Sequence, residues 1–381
     1  MVDLNAIMED MRPYNDAEVK EAMSRMLEVD DFKSVLSYVF PEMSISESMQ
    51  LMQEVNSTTS FQEKFSSKAV DEVLNKTATH FSYSGLENIC PDESYLFISN
   101  HRDIVMDSAI LQNILCKNGH RTSQITFGSN LMSSQFIIDI GKVNKMFTFF
   151  RGGSRNEIYQ NALVHSAYIR KVIGEIKESV WIAQRDGRTK DGNDQTQLSL
   201  LKMLTIKQKD HVAAIRQFNI VPITISYEFE PCDVFKVVER IKSKSGAYKK
   251  AKGEDFMSVL TGITGFKGRV HFAFGKPVNE YIDKNSNELT NCNIHAKVCE
   301  EMDRQIYNDY QLNKINYICY DSNKNSNQYL GEAYEQKDIA EIEAILSKKV
   351  STIDDVDKEE AKQLLIEMYA APVENYLKTK K

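Results

Sequence analysis

The stretch YLFISNHRDIVMD at 95–107 ends an apolar run on Asn100, His101, Arg102 and Asp103, and a second acid, Asp107, follows. YLFIS is built of strand-forming residues, and SAILQNIL behind it reads as a helix. A histidine at the carboxyl end of a sheet strand sits where open α/β sheets place their sites. Its imidazole can take a proton from a hydroxyl if Asp107 or Asp103 accepts a hydrogen bond from the other ring nitrogen and fixes the tautomer. The plainer reading makes Asp103 a helix cap and His101 a packed side chain.

A second cluster follows the apolar run VWIA at 180–183 and contains Arg185, Asp186, Gly187, Arg188 and Lys190. Three cations around a glycine at a strand end form an anion seat. Guanidinium forks fit phosphate, and glycine lets backbone amides approach it. The alternative is a solvated turn whose charges pair with each other. Arg151 comes directly after FTFF, with Gly152, Gly153 and Arg155 behind it, and joins the same positive pole if the strands lie side by side.

The elements that must hold these residues alternate. Short apolar runs at 95–99, 125–129, 147–150, 180–183, 220–227 and 269–275 are strand candidates. Helical stretches lie between them, notably 157–178, where Ile158, Ala162, His165, Ile169, Val172 and Ile176 recur three or four apart. The expected fold class is α/β, with a central mainly parallel or mixed sheet flanked by helices and with helical extensions at both ends. Residues 1–78 read as an N-terminal helical domain, 79–284 as the α/β domain and 285–381 as a C-terminal helical region.

With 381 residues, 42% of them hydrophobic and 27% charged, the chain can bury a sizeable core. No internal repeat is visible. No apolar run approaches the ~18 residues of a membrane span, and MVDLNAIMEDMRPYND lacks the basic and apolar regions of a signal peptide. The expectation is a chain neither exported nor membrane-spanning. Its six scattered cysteines show no zinc spacing, so reduced thiols and no metal are expected. A net charge of −7 argues against a chain-wide nucleic-acid surface.

Taken in order, four segments resemble the glycerolipid acyltransferase family, the glycerol-3-phosphate and 1-acylglycerol-3-phosphate (PlsC-type) acyltransferases. SNHRDIVMD is similar to that family's first block, an Asn or Ser before His, then four residues, then Asp. FSYSGLENICPDESYLFISNHRD resembles the lead-in to it. GSNLMSSQFIIDIGKVNKMFTFFR resembles the second block, WIAQRDGR the third and IVPI the fourth. The likeness covers roughly 79–280. It departs from the family in three places: Asp107 arrives one residue late, Asp186 stands for the usual glutamate with Arg188 directly after Gly187, and the glycine before the aromatic strand of block two is missing.

The resemblance implies transfer of an acyl group from a thioester, acyl carrier protein or acyl-CoA, to a hydroxyl of a phosphate-bearing glycerol backbone, glycerol phosphate or a lysophospholipid. It implies His101 as general base and Asp107 or Asp103 as its partner. Arg151, Arg185, Asp186, Gly187, Arg188 and Lys190 would form the phosphate site, and the strand at Val221 and Pro222 would line the acyl pocket. No cofactor beyond the acyl thioester is implied. Lipid substrates call for a cytoplasmic protein peripheral to the inner face of the membrane. The segment FIIDIGKVNKMFTFF could lie in a bilayer interface through Phe136, Ile137, Ile140, Val143 and Phe147, although an ordinary core helix fits it better. A kinase reading of HRD fails for want of a Gly-rich loop and strand lysine upstream. An acyltransferase of amino-acid-based lipids and a non-catalytic lipid or carrier-binding module remain open.

Overall fold

The computed structural model describes residues 4–380 apart from 245, 247, 249 and 252. Seven strands form one sheet: β1 (Ala78–Ser84), β2 (Leu96–Ser99), β3 (Gln124–Gly128), β4 (Met146–Phe149), β5 (Val180–Ala183), β6 (Ile220–Tyr227) and β7 (Gly268–Phe274). Their order is β1-β7-β6-β2-β5-β3-β4. Neighbours are parallel except β6 and β7, so the sheet is mixed and the strands β2 to β6 all point one way. All six expected strands form. The seventh, β1, escaped the sequence reading because ATHFSYS carries only two large apolar residues, Phe81 and Tyr83, as suits a half-exposed edge strand.

The central strands are apolar on both faces, and alternate residues separate the two cores. Leu96, Ile98, Val180, Ile182 and Ile220 enter one, while Phe97, Trp181, Val221, Ile223 and Ile225 enter the other. Helices α1 (Leu4–Met11), α2 (Asp16–Leu27), α3 (Asp30–Val39), α4 (Ile45–Gln53), α5 (Thr58–Phe61) and α6 (Ser67–Thr77) precede the sheet. Between strands lie α7 (Met106–Lys117), α8 (Gln135–Val143), α9 (Arg155–Lys171), α10 (Leu198–Leu204), α11 (His211–Arg216), α12 (Asp233–Ser243) and α13 (Glu254–Thr264). After β7 come α14 (Val278–Lys284), α15 (Ile294–Asn308), α16 (Lys314–Lys324), α17 (Gln336–Ser351) and α18 (Lys358–Lys378).

Of the two readings of α8, the preferred core helix holds, whereas the stripe along 157–178 meets a correction. The face of α8 offered to a bilayer is covered: Phe136, Ile140 and Val143 pack into the core of the N-terminal helices, and buried Asp139 is held by Arg25 and Tyr14. The stripe along 157–178 drifts. Val164, His165, Ile169 and Val172 are buried, but Ile158 and Ile176 are exposed. A turn of π-helix at Val172–Ile176 inserts an extra residue into the repeat and rotates Ile176 off the packed face. Beyond β7, α15 places Ile294, Val298 and Met302 in the same core as β2, β5 and β6.

Candidate active site

Strand register levels the chemistry-bearing residues along the carboxyl edge of the sheet. Ser99 of β2 pairs with Ala183 of β5, so His101 and Arg185 each lie two residues beyond the same rung. Gly128 of β3 pairs with Phe149 of β4, and Arg151 lies two residues beyond Phe149. Past the strands the pairing continues, because the Gln184 amide donates to the Ser99 carbonyl at 2.8 Å and the Thr189 amide to that of His101 at 2.9 Å.

His101 Nδ1 lies 2.9 Å from Asp107 Oδ2, which also accepts the amides of Arg102 at 2.6 Å and Asp103 at 2.9 Å. The Tyr227 hydroxyl, from the end of β6, donates to Asp107 Oδ1 at 3.1 Å. A carboxylate already holding two backbone N–H groups is an acceptor, so the imidazole donates from Nδ1 and carries its lone pair on Nε2. Asp107 is fully buried, whereas the His101 side chain keeps 12% of its surface exposed and meets Trp181 edge-on at 5.9 Å. The extra residue between His and Asp is absorbed by the bend before α7, which puts Asp107 in the first helical turn.

Asp103 does other work. Its Oδ1 accepts the amides of Val105 and Met106 at 2.9 and 2.8 Å, capping the entry to α7, and it makes no hydrogen bond to His101. Asp103 Oδ2 is buried without a hydrogen-bond partner among the described residues. Burial, with the Asp107 charge beside it, raises the Asp103 carboxyl above its ordinary value.

The expected phosphate residues divide. Arg151 and Asp186, both well exposed, pair across the strand ends at 2.6 Å. Arg185 donates from Nη1 to the Asn193 carbonyl at 3.3 Å, and its Nε is buried without a partner among the described residues. Arg188 Nη1 is likewise buried and unpartnered. Gly187 takes φ +72° with open space where a side chain would stand, a conformation that favours glycine. Lys190 departs from the set: it is paired with Glu239 on α12, drawn off by a carboxylate that no local sequence feature announces.

Val221 and Pro222 form solid core. Val221 is fully buried among Phe97, Ile223 and Phe272, and the Pro222 carbonyl accepts the Gly275 amide at 2.8 Å. A large open groove of 1330 Å³ lies elsewhere, between α1 and α9, lined by Leu4, Ile7, Met8, Phe150, Leu163 and Ala167. Neither Val221 nor Pro222 contributes to it.

Sequence reasoning missed the buried polar network under the histidine loop. Arg102 pairs with Asp194 and with Glu230, the latter at 2.5 Å, and Glu230 also takes Lys236. Asp194 accepts Asn100 Nδ2 at 2.9 Å and the Tyr310 hydroxyl at 2.8 Å. Tyr369 of α18 donates to Asp233 at 2.6 Å, and Lys349 of α17 pairs with the same carboxylate. Burial opposes the Glu230 charge, but Lys236 and Arg102 together hold its carboxyl below the ordinary value. Glu230, Asp233 and Lys236 follow IVPITISY spaced among apolar residues, and nothing local there names Arg102 as their partner.

The fold and the site together define an α/β protein with a His–Asp pair and two buried arginine donors at the carboxyl edge of its sheet. No family model matches the sequence, and no curated protein does. Among solved structures, the chain is similar to the 1-acyl-sn-glycerophosphate (LPA) acyltransferase PlsC from Thermotoga maritima, with 15% identity, a TM-score of 0.37, and coverage of 76% of this chain and 93% of that one.

Proposed function

We propose that the protein is an acyltransferase that moves a fatty acyl group from a thioester, acyl carrier protein or acyl-CoA, to a hydroxyl of glycerol 3-phosphate or lysophosphatidate, working at the cytoplasmic face of a membrane. The observation that carries this reading is the His101–Asp107 hydrogen bond of 2.9 Å at the carboxyl edge of the sheet. The four sequence blocks in family order support the same class.

His101 Nε2 takes the proton of the acceptor hydroxyl, and the resulting oxygen attacks the thioester carbonyl carbon. The tetrahedral intermediate collapses, the C–S bond breaks, and the thiolate leaves with the proton returned by His101. An ester and a free thiol are the products, and no covalent enzyme intermediate forms. Asp107 steadies the imidazolium between the two proton transfers. Buried donors of Arg185 and Arg188 stand ready for the acceptor's phosphate, and Arg151 can exchange Asp186 for it, because an exposed ion pair is worth only about 0–1 kcal/mol.

The test is transfer of radiolabelled palmitate from acyl carrier protein, and separately from coenzyme A, to glycerol 3-phosphate and to lysophosphatidate. Ester formation on either acceptor is expected. Failure with every pair, by a correctly folded protein, contradicts the reading.

A further inference from the structure

Tyr227 closes β6, where alternation sends Ile223, Ile225 and Tyr227 into one buried core. An apolar ring would fill such a position. A phenol stands there instead, and its hydroxyl donates to Asp107 Oδ1 at 3.1 Å. A buried phenol needs a hydrogen-bond partner. This one spends its only proton on the carboxylate that holds the candidate base.

The two oxygens of Asp107 are served unequally. Oδ2 takes His101 Nδ1 and the amides of Arg102 and Asp103, whereas Oδ1 has Tyr227 alone among the described residues. Asp107 is fully buried, so without the hydroxyl one carboxylate oxygen would be left unpaired away from water. The strand that carries the histidine also delivers the tyrosine. Ser99 pairs with Ile223 on the last rung of β2 and β6. Asn100 prolongs the pairing with its side chain, accepting the Ile225 amide at 2.8 Å and donating to the Ile225 carbonyl at 2.9 Å. Two residues further on, Tyr227 reaches Asp107. Burial and the Asp107 charge push the Tyr227 hydroxyl well above its ordinary value, which keeps it a donor.

We propose that Tyr227 is a positioning residue for the transfer reaction: it fixes the Asp107 carboxylate through Oδ1 and so sets how strongly Asp107 holds the protonated His101. This deepens the acyl-transfer reading and rests on it for its kinetic readout, but not for its spectroscopic one. A donor on Oδ1 draws charge from the carboxylate. Its loss leaves Asp107 a stronger partner for the imidazolium, and His101 then takes up its proton at higher pH. The other titratable groups about the pair are untouched by such a change. They are Arg102 and Asp103 on the same loop, Arg188 after β5, Glu230 and Cys232 after β6, and Lys267 before β7.

The experiment compares the parent, Tyr227→Phe, Asp107→Asn and the double variant. Tyr227→Phe removes one oxygen and keeps the ring, and circular dichroism verifies its fold. Its kcat should fall on the order of 10-fold with KM for both substrates near the parent value. The acid limb of its kcat profile should move to higher pH. In the Asp107→Asn background the same change should cost nothing further, because its effect runs through the carboxylate. NMR follows the His101 imidazole, assigned by the signal lost in His101→Ala. It should titrate at higher pH in Tyr227→Phe than in the parent, whether or not acyl transfer is detected. An unchanged titration overturns the proposal, as does a kcat loss of equal size in the Asp107→Asn background. A raised KM with kcat unchanged would assign the hydroxyl to substrate binding and overturn it too. A shifted titration in a chain that transfers no acyl group would refute the enzymatic reading and leave the coupling of Tyr227 to His101 standing.

Discussion

Asp107 holds His101 and the loop that carries it through one oxygen: its Oδ2 takes His101 Nδ1 at 2.9 Å and the amides of Arg102 and Asp103 at 2.6 and 2.9 Å. The same atom thus sets both the tautomer of the base and the shape of the turn that presents it. Asp103, four residues nearer in sequence, serves the helix instead.

These two aspartates should therefore separate cleanly. Asp107→Asn is expected to lower kcat by ~10²- to 10⁴-fold, the usual worth of a positioned general base. Asp103→Ala removes a cap and should cost ~0.5–2 kcal/mol of stability while transfer continues. Steady-state kinetics and urea unfolding of the two variants check this. Equal kinetic losses would return Asp103 to the catalytic pair.

Arg185 Nε and Arg188 Nη1 are buried donors without a partner among the described residues. Replacing either with Ala should raise the KM for the phosphate acceptor on the order of 10- to 100-fold, as loss of a charge-assisted hydrogen bond does, with a smaller change in kcat. Lys190→Ala, already committed to Glu239, should leave that KM near the parent value. Measurement of KM for glycerol 3-phosphate in the three variants decides it.

Much of this was legible in the sequence because the relevant signals are local. Six apolar runs became six strands, because their short length and their β-branched and aromatic content set them apart from buried helix. His101 and Arg185 could be placed at strand ends for the same reason. What stayed hidden depends on distant partners. Whether Asp103 or Asp107 meets His101 turns on the bend before α7, and the fate of Lys190 turns on Glu239, forty-nine residues away. Arg102 reaches Glu230 across 128 positions. The core-helix reading of α8 holds, but which helices would cover it lay in no periodicity of α8 itself.

Arg102 is locked beneath the histidine loop between Asp194 and Glu230. Arg102→Met should destabilise the fold by about 3–5 kcal/mol, the cost of stranding buried charges. Chemical denaturation measures it. A loss under about 1 kcal/mol, the range of an exposed pair, would show that the network carries little of the loop's stability.

His165 is buried, stacks on Phe149 at 3.8 Å, and accepts the Phe150 amide on Nε2 at 3.0 Å, which steadies the strand end before Arg151. Burial, with the Arg151 charge nearby, pushes its pKa down to about 4. The folded protein then keeps His165 neutral while the unfolded chain protonates it near pH 6.5. Stability from this group is present above pH 6.5 and falls by about 3 kcal/mol as the pH drops toward 4. In His165→Gln, whose amide oxygen can still accept the Phe150 N–H, thermal melts across that window should show a shallower loss. An unchanged slope would remove His165 as its source.

The most direct test of the account is acyl transfer to a phosphate-bearing glycerol acceptor by the parent protein and by His101→Ala, with circular dichroism to verify the fold. The account predicts transfer by the parent and a fall in kcat of ~10²- to 10⁴-fold in the variant, with binding of the acceptor little changed. Equal rates in the two proteins would contradict it, because His101 would then not be the base.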